Sequence, residues 1–252
     1  MTRRLIVNAD DFAMTGGVSR GIAEAARRGI VTSATAMAHL GTLEAALAQV
    51  RDLPRLGLGL HLTFTWGPPA AGADRVPSLV GPDGRFPRDP GALAARARPE
   101  HVAAECAAQF DRFVRAVGRP PTHLDGHHQV HTLSPVREAV LDLATGHRLP
   151  VRSPDAEMRR LVRQRGLPTP DGFLGEAGSE PYWTRERLVE AIRSLPEGTT
   201  EIMCHPGYFD ADLAHSRYGR QREGELAGIT DAAVRAAVAE AGIELMTYAA
   251  LA

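Results

Sequence analysis

The chain has 252 residues, 23% of them charged, and a formal net charge of -1. This length fits one α/β barrel or one open α/β sheet. The near-zero charge, without long blocks of like charge, excludes an electrostatic basis for nucleic-acid binding. Because the charge is balanced, we expect a small-molecule partner. The chain has 29 arginine residues and no lysine. The absence of lysine excludes Schiff-base aldolases, pyridoxal enzymes and Walker-A nucleotide binders.

The first apolar run, at residues 5–7, is shorter than a signal-peptide core or a membrane span. We therefore expect a cytoplasmic protein without membrane insertion. The two cysteines, Cys106 and Cys204, lie far apart in what the pattern predicts to be a helix and a buried strand. Buried free thiols are the expectation for both.

Apolar runs typical of strands alternate with amphipathic segments typical of helices. In chain order the sequence predicts strand 5–7, helix 16–28, strand 31–37, helix 43–50, strand 56–62, helix 101–117 and strand 122–125. It then predicts helix 134–145 with an N-cap at Ser134, strand 150–152, helix 185–194, strand 200–204, helix 230–241 and strand 244–248. This alternation predicts a parallel sheet in an irregular or incomplete (β/α) TIM-like barrel, a single domain over residues 1–252.

Two long stretches, 66–99 and 153–181, break the alternation and are rich in glycine, proline and charge. Long loops of this kind usually shape a binding cleft or stay mobile. We interpret both as loop insertions that contact a substrate, and a homodimer formed through them is a further expectation. The aromatic residues in or beside the long loops are predicted to line the cleft: Trp66, Phe86, Tyr182, Trp183, Tyr208 and Phe209.

Ionisable residues follow the apolar runs at several points. Asp10 and Asp11 close the first run, His61 the third and His205 a later one. Such positions predict an active site on one rim of a strand-based scaffold. Two adjacent carboxylates can also form a solvated turn, and a lone histidine at a strand end is more often a hydrogen-bonded rim residue, so these readings stay open.

The densest group of candidate metal ligands lies between residues 122 and 131, which read THLDGHHQVH. Neutral imidazoles and carboxylates are ligands for divalent metals. In an extended segment His123, Asp125 and His127 would point one way and His128 the other. At most one or two of the four histidines can reach a shared ion, and His131 fits a supporting role near the next helix.

Five segments, 5–12, 28–35, 59–61, 121–128 and 203–206, read LIVNADDF, RGIVTSAT, GLH, PTHLDGHH and MCHP. In order and spacing they resemble the YdjC-like carbohydrate deacetylases, whose best known members deacetylate chitooligosaccharides. Two positions depart from the usual family pattern: Ala13 stands in place of glycine, and Gln129 in place of the third histidine of a His-His-His run.

The resemblance implies an irregular (β/α) barrel with one divalent ion held by Asp11, His61 and His127. It implies Asp10 as the catalytic base that takes a proton from water, and His205 as the acid that protonates the departing amine. The resemblance points to magnesium, whereas two imidazoles and one carboxylate suit zinc on ligand chemistry.

The expected function is metal-dependent removal of an N-acetyl group from an acetylated amino sugar, chitooligosaccharide-like or part of a related glycan or glycolipid. Two alternatives stay open at this point. One is a metal-dependent phosphoesterase, because Asp and His clusters on barrels also hydrolyse phosphate esters. The other is a non-catalytic sugar-binding protein on the same fold.

Overall fold

Parallel strands form one curled sheet in the computed structural model, which describes residues 2–251. The strands are β1 (Arg3–Phe12), β2 (Ser33–Ala36), β3 (Gly57–Leu62), β4 (Leu124–Gly126), β5 (Gly172–Leu174), β6 (Gly198–Cys204) and β7 (Glu244–Leu245). Their order is β4-β3-β2-β1-β6-β5, and β7 pairs with the start of β1. The fold is therefore the irregular (β/α) barrel that the alternating pattern predicts.

Helices surround this sheet. They are α1 (Gly16–Arg28), α2 (Leu43–Gln49), α3 (Pro90–Ala94), α4 (Pro99–Val117), α5 (Ser134–His147), α6 (Ala156–Gln164), α7 (Arg185–Arg193), α8 (Gln221–Thr230) and α9 (Ala232–Glu240). Short 3₁₀ segments lie at Pro77–Leu79, His127–Thr132, Ala211–Leu213 and Tyr248–Leu251. Within residues 2–251, no helix combines the length and the apolar character needed to cross a lipid bilayer.

The central strand β1 sets the position of the site. From Leu5 to Phe12 every residue of β1 is buried, as expected for a parallel strand covered on both faces. The register of β1 with β6 pairs Ala9 with Cys204. The next residues of the two strands therefore emerge together at the carboxyl edge of the sheet. In the same way, the register of β3 with β4 places His61 opposite Asp125.

The structure corrects several predicted elements. The predicted strand 150–152 is reduced to a single parallel bridge between Val151 and Leu124. Pro150 has no N–H to donate, so the pairing cannot extend towards the N-terminus. The strand missing from the prediction is β5, which lies inside the predicted loop 153–181 together with α6; likewise α3 lies inside the predicted loop 66–99.

The starts of two helices also differ from the prediction. Ser134 is the first residue of helix α5 and not its N-cap. The N-cap is Leu133, whose side chain makes no capping hydrogen bond. The predicted helix 230–241 is α9, which begins after Asp231, whose carboxylate accepts the N–H of Ala233 at 2.7 Å. Helix α8, immediately before it, was not predicted.

Cys106 in α4 and Cys204 in β6 are both buried, as expected.

A buried polar contact ties the first long loop to helix α4. The carboxylate of Glu105 is fully buried and accepts the backbone N–H groups of Ala70 and Ala71 at 2.8 and 2.9 Å. The side chain of Gln109, one turn later, donates to Glu105 at 2.8 Å and exchanges two hydrogen bonds with the backbone of Thr63. These contacts fix the loop that carries Trp66 over the carboxyl edge of the sheet.

We expect Glu105→Gln to lower the free energy of unfolding by about 1–3 kcal/mol. The glutamine amide has one oxygen, so its NH₂ group faces one of the two backbone N–H groups, and that N–H loses its acceptor. Glu100→Gln is the matched control on the same helix, since Glu100 is exposed and forms an ion pair with exposed Arg98. Urea unfolding measures both variants. Equal shifts for the two variants would contradict the anchoring role of Glu105.

Candidate active site

All five residues singled out as catalytic or metal-binding candidates line one cavity. Asp10 and Asp11 come from the end of β1, His61 from β3, His127 from the 3₁₀ segment after β4, and His205 from the residue after β6. The cavity has a volume of about 1310 Å³ and opens at the carboxyl edge of the sheet. Parallel strands thus bring together side chains that lie far apart in the sequence.

The donor atoms of Asp11, His61 and His127 form a compact group, all within 4.8 Å of one another. Asp11 Oδ1 lies 2.8 Å from His127 Nδ1 and 3.3 Å from His61 Nε2. Nδ1 of His61 is hydrogen-bonded to Asp125 Oδ1 at 2.7 Å, which leaves Nε2 free to face Asp11. One carboxylate and two oriented imidazoles are a donor set that fits a divalent cation.

The negative charges around His61 also favour the binding of a cation. The carboxylates of Asp125 and Asp10 raise the pKa of His61 to about 10, although burial opposes them. Burial would raise the pKa of Asp11, but His127 and Arg222 hold it well below its usual range. This group of buried carboxylates therefore requires positive charge, which a proton on His61 or a divalent ion can supply.

The backbone around Asp11 is unusual. Asp11 and Ala13 adopt left-handed conformations with φ of 68° and 71°, and the register of β1 with β2 shifts between Ala9 and Phe12. This shift interrupts the regular pairing of β1 with β2, and the Asp11 side chain lines the cavity there. Left-handed backbone is tolerated by aspartate but disfavoured for alanine, so Ala13 is the strained position of the pair.

Asp10 is held by a buried arginine. Arg152 donates from Nη1 to Asp10 Oδ2 at 2.7 Å and from Nη2 to Oδ1 at 2.6 Å, a bidentate pair. The same guanidinium contacts Asp125 Oδ2 at 2.9 Å and Glu201 Oε1 at 2.8 Å. Burial would raise the pKa of Asp10, yet the charge and hydrogen bonds of Arg152 keep it well below the usual range. Asp10 is therefore an anion at neutral pH.

His205 is positioned by helix α8. Glu225 of α8 accepts the backbone N–H of His205 at 2.6 Å through Oε2 and the hydroxyl of Tyr218 through Oε1. The ring of Tyr218 lies edge-on to the imidazole with centroids 5.2 Å apart. Nδ1 of His205 has no hydrogen-bond partner. Burial lowers the pKa of His205, while the carboxylates of Glu225 and Asp10 oppose that effect.

The remaining histidines of the 122–131 segment have different surroundings. His123 is fully buried and stacks on Tyr248 with ring centroids 3.7 Å apart. It lies so close to Gly59 that a Cβ there would come within 2.3 Å of the imidazole. His128 is exposed and contacts Thr65 Oγ1 at 3.0 Å, and His131 is fully buried.

The aromatic prediction for the cleft is largely wrong. Of the six aromatic residues, Trp66 lines the cavity, whereas Phe86 and Trp183 are buried in the core. The other three are partly buried and pack against the core: Tyr182, Tyr208 and Phe209. Phe173 of β5 and Tyr218 line the cavity instead. Their roles depend on β5 and on the contact with α8, which the sequence pattern did not reveal.

Three charged residues of the site were not predicted: Arg152, Arg222 and Glu225. Arg152 follows a short apolar run. The pattern that identified Asp10 and His61, an ionisable residue after an apolar run, therefore also selects Arg152 if arginine is counted as ionisable. Arg222 and Glu225 lie about one turn apart on α8. Arg222 is buried and donates to Asp11 Oδ2 at 2.6 Å. Nothing in their local sequence indicates that Arg222 reaches Asp11 or that Glu225 reaches His205.

Comparisons with known proteins find relatives over nearly the whole chain. The profile of the family described as YdjC-like protein matches residues 4–240. A carbohydrate deacetylase of Geobacillus stearothermophilus is 43% identical, with 98% of each chain covered. A chitooligosaccharide deacetylase of Klebsiella pneumoniae (strain 342) is 36% identical, covering 98% of this chain and 99% of that protein.

Among solved structures, a protein of Enterococcus faecalis V583, provisionally described as a cellobiose-phosphate cleavage protein, is 33% identical. It superposes with a TM-score of 0.92, and each chain is covered over 100% of its length. The profile match, the sequence identities and this superposition all extend over nearly the whole chain. The chain therefore belongs to the family of YdjC-like proteins.

Proposed function

We propose that this protein is a metal-dependent hydrolase that removes the acetyl group from the nitrogen of an acetylated amino sugar, such as a chitooligosaccharide. The observation that carries the proposal is the cavity, where side chains suited to one divalent ion lie beside Asp10 and His205. The names of the two relatives, carbohydrate deacetylase and chitooligosaccharide deacetylase, support the same reaction.

Asp11, His61 and His127 would hold the ion in this proposal. What a divalent ion supplies there is positive charge, which polarises an acyl carbonyl and favours the loss of a proton from water. Magnesium, implied by the family resemblance, and zinc, favoured by two imidazoles and one carboxylate, are the two candidates. Asp125 keeps Nε2 of His61 directed at the ligand group, because it fixes Nδ1.

Asp10 is the proposed general base. Its bidentate pair with Arg152 fixes the carboxylate and keeps it ionised, so it is ready to accept a proton. A carboxylate with a lowered pKa is a weak base, and it is effective only towards a water that is itself made acidic. The base and the metal ligands therefore have to act in one cavity, as adjacent Asp10 and Asp11 allow.

His205 is the proposed acid for the leaving group. An amine departs readily only when it is protonated, because an amide anion is a very poor leaving group. His205 lines the cavity, and the backbone contact to Glu225 fixes its position. Its Nδ1 has no hydrogen-bond partner among residues 2–251. Because burial lowers its pKa, His205 is mainly neutral at pH 7 and must gain a proton before it donates one.

A phosphoesterase built from Asp and His side chains would favour two metal ions. The second set of candidate ligands, Asp10, His61 and Asp125, shares His61 with the first set. Arg152 contacts both of its carboxylates, at 2.6 and 2.9 Å, and so already supplies positive charge there. We therefore favour one ion and acyl chemistry over phosphoester hydrolysis.

We expect Asp10→Asn to reduce acetate release from N,N'-diacetylchitobiose by roughly 10²- to 10⁴-fold, because an amide cannot take up the proton. Bound metal, measured by elemental analysis, should be unchanged, since Asp10 is outside the proposed ligand set. Circular dichroism checks that the variant is folded. Turnover close to that of the wild type would exclude Asp10 as the base; a wild type that binds the sugar without turnover would favour the non-catalytic alternative.

We expect His127→Ala to lose bound metal, with affinity reduced by more than about 100-fold, because even an outer partner of a metal ligand contributes 10- to 100-fold. His128→Ala is the matched control, since the adjacent His128 is exposed and outside the ligand group. Isothermal titration with zinc and with magnesium measures both variants. Unchanged affinity in His127→Ala, or equal losses in the two variants, would contradict the proposed ligand set.

The acid role predicts that the effect of His205→Gln depends on the leaving group. The variant should lose roughly 10²- to 10³-fold in turnover of N,N'-diacetylchitobiose. With 4-nitrophenyl acetate the loss should be below about tenfold, because nitrophenolate departs without a proton. Steady-state rates on both substrates provide the comparison. Equal losses on the two substrates would show that His205 supports the site in another way.

A further inference from the structure

Several buried polar atoms around the cavity have no hydrogen-bond partner among residues 2–251. Five of its lining residues carry such an atom: Asp11 at Oδ1, His127 at Nε2, Gln129 at Oε1, His205 at Nδ1 and Arg222 at Nη1. An unpaired buried polar group destabilises a fold, so native structures keep few of them without a functional reason. Asp11, His127 and His205 already have proposed roles, and Arg222 binds Asp11 through Nη2. Gln129 has no such role.

The Gln129 side chain is held in one orientation. Its backbone is left-handed, with φ of 55°, directly after His128 with φ of 56°. Two consecutive non-glycine residues in this region are strained, and strain of this kind is typical of functional sites. Gln129 Nε2 donates to the Met203 sulfur at 3.2 Å. Met203 is itself fixed, because it is buried and its carbonyl accepts the indole N–H of Trp183 at 2.7 Å.

The contact with Met203 decides which way the amide group faces. A thioether sulfur can only accept a hydrogen bond, so the NH₂ group of Gln129 faces Met203 and Oε1 faces the other way. Oε1 can accept a hydrogen bond but cannot donate one. Of the other four unpaired atoms in the cavity lining, three are nitrogens and one is Asp11 Oδ1, which belongs to the proposed metal-ligand group. Gln129 therefore contributes a fixed oxygen acceptor outside that ligand group.

An acetamide and an acetate ester differ at one atom. Both present a carbonyl oxygen, but only the acetamide presents an N–H beside it. We propose that Gln129 is a specificity-determining residue whose Oε1 accepts the N–H of the substrate acetamide, so that the site prefers N-acetyl to O-acetyl groups. This inference rests on the proposed deacetylase function. A site built to pair a substrate N–H rejects the analogue that lacks it, because the protein acceptor is then left unpaired.

The test compares N,N'-diacetylchitobiose with the same disaccharide carrying 2-O-acetyl in place of the 2-acetamido groups. Gln129→Met has a similar shape and replaces the amide oxygen with a thioether sulfur, which is only a weak acceptor. It should lower kcat/KM on the N-acetyl substrate by about 10- to 100-fold and on the O-acetyl substrate by less than about threefold. Gln129→Glu keeps an oxygen acceptor at the same position and should retain most of the wild-type preference for the amide.

The outcomes separate this inference from the proposed function. A wild type that releases acetate from the N-acetyl substrate, with an unchanged amide-to-ester ratio in Gln129→Met, would overturn the role of Gln129 alone. Equal losses of Gln129→Met on both substrates would also overturn it, since they indicate a general structural role. A wild type inactive towards the N-acetyl substrate with every divalent ion would overturn the proposed function and this inference together. A ratio lowered by tenfold or more, restored in Gln129→Glu, would support the assignment.

Discussion

The site depends on one buried guanidinium. Arg152 is fully buried and contacts three carboxylates, those of Asp10, Asp125 and Glu201. Buried charges are tolerated only when they are paired, and loss of one partner leaves the others uncompensated. Arg152 thereby fixes Asp10 and supports Asp125, which in turn orients His61. Burial raises the pKa of Glu201 to about 6, although the charge and hydrogen bond of Arg152 oppose that effect.

Much of the architecture and the grouping of the candidate site residues can be predicted from the sequence for one physical reason. In a parallel α/β fold the carboxyl ends of the strands share one edge, so ionisable residues that follow apolar runs are brought together. Asp10, Asp11, His61 and His205 were selected on that pattern alone, and all four line the same cavity. His127 came instead from the local density of histidines and from the family resemblance, and it lines the same cavity.

What the sequence did not reveal depends on contacts between distant residues. Arg152 pairs with Asp10 across 142 positions and with Glu201 across 49, and no local pattern encodes those distances. Helix α8 was missed, and with it Arg222 and Glu225, which approach the site from outside the sheet. The cleft aromatics were predicted from loop position alone. Whether a loop aromatic faces a cavity or the core is decided by the tertiary contacts of the loop, such as the anchoring of the first long loop to α4.

In the proposed function, one divalent ion held beside Asp10 is required for hydrolysis of an N-acetyl amino sugar. Acetate release from N,N'-diacetylchitobiose by metal-stripped protein, titrated separately with zinc and with magnesium, tests this requirement directly. We expect no release from the stripped protein and a rise that saturates at one ion per chain. Release that is independent of added metal, or no release with either ion, would contradict the requirement.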